Sequence, residues 1–132
     1  MRLQSWERYC LAIMYLISIT ILFFLPGSVL PKNDWMSKIW FDKWVHIGLF
    51  FLLNWLFCWA WQFTYSQQLI LLLISAALYG ILIEGFQDQF IANRDFDWGD
   101  WVADIIGSVA GILVWVRRKK INPCRNRGRN QN

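Results

Sequence analysis

An all-α bundle of four transmembrane helices with both termini on the cytoplasmic side is the fold class this sequence predicts, and three observations carry it. The 132 residues are 57% hydrophobic and 17% charged, with ten Trp, ten Phe and four Tyr, against roughly 45–50% apolar and about 25% charged in a soluble domain. Charges leave two long gaps, from Arg8 to Lys32 and from Lys43 to Glu84. Lysine and arginine then collect after the last apolar run, at Arg117, Arg118, Lys119, Lys120, Arg125, Arg127 and Arg129. The same composition excludes a disordered chain, and three widely spaced cysteines, Cys10, Cys58 and Cys124, exclude a disulfide-built mini-domain.

A spanning helix needs about 20 apolar residues to cross about 30 Å of hydrocarbon. The first gap holds one, roughly residues 9–25, stopped by Pro26-Gly27. A cleaved signal peptide is the weaker reading, because the apolar run is long and no small-x-small site follows it. The second gap is twice too long for one crossing, and the polar stretch from Gln62 to Gln68 divides it into helices of roughly 43–61 and 67–86. A shorter segment, roughly 100–116, carries Asp104 inside it. Residues 1–120 thus form the transmembrane domain and 121–132 a basic, disordered cytoplasmic tail.

By the positive-inside rule the basic tail is cytoplasmic, and four crossings return the N-terminus, with Arg2 and Arg8, to the same side. Lys32, Lys38 and Lys43 in the first loop pull mildly the other way. The segment from Glu84 to Asp104 has many carboxylates and only Arg94 as a cation, which suits the outer side. Trp6, Trp59, Trp61 and Trp115 fall near the inner interface, and Trp35, Trp40, Trp44, Trp98 and Trp101 near the outer one. Residues Asn33 to Phe41 read equally as a short interfacial helix or an irregular loop. The tail's sharper use is contact with anionic lipid; nucleic acid is not an expected partner, since no folded reader accompanies it.

Polar residues within the spans are expensive and normally face the bundle interior. Asp42 and His46 are four apart, with Lys43 beside them; Glu84, Gln87 and Asp88 share a face; so do Asp97, Asp100 and Asp104, continued by Gly107, Ser108 and Gly111. Four crossings bring all three groups to the outer end. Simpler explanations cover some of them: Asp42 and Asp100 suit helix N-caps, Lys43 and Arg94 suit interfacial ion pairs, and Gly107-x-x-x-Gly111 is a helix-packing face. What they leave uncovered is the coincidence of so many ionisable groups on one leaflet.

The pattern Asp42-Lys43-x-x-His46, Glu84-x-x-Gln87, then Arg94-x-Phe96-Asp97-x-x-Asp100-x-x-x-Asp104-x-x-Gly107-x-x-x-Gly111, preceded by Leu25-Pro26-Gly27, resembles the VanZ-like membrane proteins. It runs from about the first helix to Gly111, departing where the family commonly shows Asn in place of Asp104. The resemblance implies a multi-pass protein of the bacterial cytoplasmic membrane, related to proteins associated with reduced susceptibility to teicoplanin-type glycopeptides. It does not supply a reaction.

The leading expectation is binding. Asp42, Lys43, His46, Glu84, Gln87, Arg94, Asp97, Asp100 and Asp104 recognise a polar headgroup, a lipid-linked cell-wall precursor or an anionic lipid, with Lys43 and Arg94 on phosphate. The alternative is an enzyme acting on a phosphate-containing lipid. There His46 and Glu84 serve as acid and base, or His46, Glu84 and Asp104 hold a divalent cation, with Mg or Mn favoured over Zn. The lack of a Ser or Cys nucleophile at that end weighs against acyl transfer. A purely structural ion-pair network is the third reading, and around Asp104 it is preferred over a metal.

Overall fold

The structure is a computed structural model that describes residues 4–25, 41–91 and 96–121. The segment from Asn33, Arg94, Cys124 and the basic tail beyond Ile121 lie outside the described residues. Within them the chain is all-helical: α1 is Ser5–Phe23, α2 Phe41–Trp61, α3 Ser66–Phe90 and α4 Trp98–Ile121. All four are long and apolar enough to cross a membrane. At 1.5 Å per residue, helices of 19 to 25 residues are roughly 29 to 37 Å long.

Helix ends differ from the apolar runs for local reasons. Helix α1 starts earlier than the run because the Gln4 N–H donates to Glu7 Oε2 at 2.7 Å, satisfying an orphan donor of the first turn. The α2–α3 turn falls in the polar stretch: Gln62 takes φ 55°, and the Gln68 side-chain oxygen accepts from the backbone N–H groups of Thr64 and Tyr65. Helix α4 is capped by Asp97, whose Oδ1 accepts from the Gly99 N–H at 2.6 Å. Asp100, expected as the cap, lies in the first turn with its side chain turned inward. The same helix continues past Val116 through the arginines, and Lys119 ties it to the α2–α3 turn by donating to the Phe63 carbonyl and the Thr64 hydroxyl.

Helices α2 and α4 form the most extensive contact, and they run parallel, with α1 packed on α2 and α3 packed mainly on α4. Glycine makes the central contact. A Cβ on Gly107 would collide with the Ile47 carbonyl oxygen, and one on Gly111 with that of Phe51, so the α4 backbone lies directly on α2. Burial is inverted relative to a soluble bundle. His46, Asn54, Glu84, Gln87, Asp100, Asp104 and Ser108 are buried, while Leu71, Leu78, Leu82, Ile21 and Met14 are among the exposed apolar side chains.

Candidate functional site

Because α2 and α4 are parallel, their N-terminal turns lie side by side, and the antiparallel α1 and α3 bring their C-terminal turns to the same end. His46 stands one turn into α2 and Asp104 one turn beyond Asp100 in α4. The His46 Nδ1 and Asp104 Oδ1 are 2.8 Å apart, and both side chains are 2% exposed. On the other edge of the ring, Nε2 is 3.9 Å from Asp100 Oδ2. Phe23, the last residue of α1, covers the imidazole at 4.9 Å between ring centroids.

The mouth of the cluster is an ion-pair triad. Lys43 Nζ donates to Asp97 Oδ2 at 2.6 Å and to Asp100 Oδ1 at 2.9 Å, joining the first turn of α2 to the cap and first turn of α4. The Lys43 ammonium, helped by the Gly99 N–H, holds the Asp97 carboxyl below the usual carboxylate range. Asp42 is exposed beside it.

Helix α3 supplies the third wall. Glu84 Oε2 accepts from the Asp97 N–H at 3.4 Å, while Oε1 is buried with no hydrogen-bond partner. Gln87 donates to the Phe23 carbonyl at 2.8 Å, pinning the end of α1, and its Oε1 is likewise buried without a partner. Asp88, exposed, accepts from the Phe96 N–H and serves the α3–α4 connection. Buried oxygens left unmatched cost about 1–3 kcal/mol each, so this end of the bundle is short of donors.

Of the residues singled out by sequence, the structure brings together Asp42, Lys43, His46, Glu84, Asp97, Asp100 and Asp104, with Gln87 at the edge facing α1. Arg94 lies outside the described residues. Among the carboxylate candidates for a cation, Asp104 is engaged at Nδ1 of His46, and the group whose ligand atoms converge is instead Asp42, His46 and Asp100, all within 4.8 Å of one another. Lys43 is committed to Asp97 and Asp100, so it is not the free phosphate anchor expected from sequence.

Three contributors escaped the sequence reading. Gly80 in α3 makes room for Asp104, since a Cβ there would lie 2.7 Å from Asp104 Oδ2. Asn54 donates to Ser108 Oγ at 2.9 Å, and Ser108 donates to the Asp104 carbonyl at 2.7 Å, extending the polar seam toward mid-bundle. The Phe23 carbonyl is the third. A signal existed for Asn54, which follows His46 by eight residues and so shares its helix face. Gly80 and Phe23 act through contacts with other helices and carry no such local mark.

An uncharacterised protein of fission yeast, Schizosaccharomyces pombe, is 29% identical to this chain over 102 residues, which are 77% of the chain and 58% of that protein. The chain therefore covers little more than half the length of this relative. No family model matches the chain, and no solved structure matches it.

Proposed function

We propose that the protein is a multi-pass membrane protein whose polar end binds the headgroup of a lipid or lipid-linked molecule. The single observation that carries this reading is the shortage of donors at the polar end, where Glu84 Oε1 and Gln87 Oε1 are buried without protein partners. A ligand that brings hydroxyl or ammonium donors, or a cation, relieves that deficit. Apolar surfaces outside and polar groups inside support residence in a bilayer. The basic residues Arg117, Arg118 and Lys119 at the opposite end support an orientation with the termini cytoplasmic and the polar end outward.

The VanZ-like resemblance of Asp42-Lys43-x-x-His46, Glu84-x-x-Gln87 and the Asp97 to Gly111 block supports a bacterial envelope role and an effect on teicoplanin-type glycopeptide susceptibility. The test is reconstitution in nanodiscs of mixed phospholipids, followed by mass spectrometry of lipid retained by the detergent-extracted protein. One headgroup class should be enriched at least fivefold, and the enrichment should vanish in the Glu84→Ala, Gln87→Ala double variant. Equal retention of all classes by the wild type defeats the reading.

A second reading, an enzyme acting on a phosphate ester, draws on the His46–Asp104 pair. A carboxylate on Nδ1 leaves Nε2 as the basic nitrogen, the arrangement a general base needs. Phosphate release from a lipid substrate that disappears in His46→Ala is its test.

A further inference from the structure

At one place among the described residues, several independent observations ask for a positive charge. Asp42, His46 and Asp100 each offer a ligand atom, all within 4.8 Å of one another. A run of acidic groups alone does not make a cation site. Two further features set this one apart.

The first is the histidine's orientation. An ionised Asp104, 2.8 Å from Nδ1, accepts the Nδ1–H and so selects the tautomer whose Nε2 lone pair lies 3.9 Å from Asp100 Oδ2. That separation exceeds a hydrogen bond. It leaves room between the two atoms for an ion with bonds of about 2.1 Å. The second is Glu84, 2% exposed, reaching the cluster from α3 with Oε1 unpartnered. It is outside the converging trio, and a water bound to an ion is a donor of the kind its open oxygen lacks. Asp42 is exposed and gives an ion its entry.

We propose that Asp42, His46 and Asp100 bind a divalent cation of the Mg²⁺ or Mn²⁺ class, with Asp104 orienting His46 and Glu84 holding a bound water. One imidazole among carboxylates, with no thiolate at this end of the bundle, selects a hard ion over structural zinc. The ion explains how an acidic cluster accepts a phosphate-bearing headgroup, since the phosphate completes the open coordination positions. In that last respect the inference rests on the headgroup reading; the cation site itself does not.

The test uses the full chain, stripped with EDTA, in nanodiscs of phosphatidylcholine, titrated with Mn²⁺ while the free ion is read by electron paramagnetic resonance. One equivalent of Mn²⁺ should bind per chain above the empty-nanodisc background, with displacement by Mg²⁺. Asp100→Asn and His46→Ala should weaken binding at least tenfold, and Asp42→Asn, at an exposed position that spares folding, at least fivefold. Asp97→Asn should change it less than threefold. Absence of binding above background overturns the site, as does equal weakening by Asp97→Asn and Asp42→Asn, which marks adventitious attraction to negative charge. Headgroup enrichment that persists in EDTA overturns the metal's part while keeping the headgroup reading. Specific Mn²⁺ binding without lipid selectivity does the converse.

Discussion

Asp104 and His46 form the most deeply buried pair of the cluster, each side chain 2% exposed, and what surrounds Asp104 sets how each substitution there behaves. An amide oxygen at the same position still accepts from His46 Nδ1, so Asp104→Asn should cost less than about 1 kcal/mol, whereas Asp104→Ala strands the buried imidazole donor at about 1–3 kcal/mol. Unfolding in mixed micelles, read through the tryptophans, separates the two; equal losses sink the assignment. Gly80→Ala should also destabilise, by about 1–3 kcal/mol, because its methyl enters the space of Asp104 Oδ2. Combining Gly80→Ala with Asp104→Ala should cost less than the sum of the two, since the clash and the lost acceptor then involve the same missing atoms.

At the scale of elements, α4 is the organising helix. It carries the glycines that seat it on α2, the Asp97 cap, the Asp100 and Asp104 carboxylates, and Lys119, which closes the far end on the α2–α3 turn. Enlarging Gly107 or Gly111 presses a side chain into the α2 backbone, which cannot move aside as a side-chain tip can. Gly107→Leu should therefore both destabilise the bundle and abolish ligand binding at the adjacent site, since Ile47 follows His46 directly. By contrast Gly85→Ala in α3 meets nothing within 4 Å and should gain up to about 1 kcal/mol of helix propensity. A stable Gly107→Leu variant that retains binding removes α2–α4 packing as the support of the site.

For the whole molecule, the two ends differ in kind. One gathers Asp42, Glu84, Asp97, Asp100 and Asp104; the other gathers Arg8, Arg118 and Lys119, which lie over Trp59, Trp55 and Trp115 respectively. This asymmetry makes orientation testable. A membrane-impermeant thiol reagent applied to intact cells should leave Cys124 unlabelled and should label a cysteine introduced at Asn33 or Asn93. Labelling of Cys124 in sealed cells reverses the orientation and moves the site to the cytoplasmic face.

The sequence by itself determined the four long apolar helices of the described residues, which face of each is polar and at which end those faces lie. Charge-free gaps measure the apolar length, and the i, i+4 spacing of Asp42 with His46, or of Asp100 with Asp104, fixes a shared face once a helix is granted. Helix ends were less legible at α1 and α4, because capping by Glu7 and Asp97 and the pin at Lys119 are polar events that hydropathy does not record. Tertiary structure alone decided which carboxylate meets which edge of His46, that Lys43 is already engaged, that Gln87 turns to α1, and that the converging trio is Asp42, His46 and Asp100. The reason is physical. A helix's periodicity sets the bearing of its side chains about its own axis only. Which helices are neighbours, and at what rotation, is set by close packing between segments far apart in the chain, here by Gly107 and Gly111 lying against the backbone of α2.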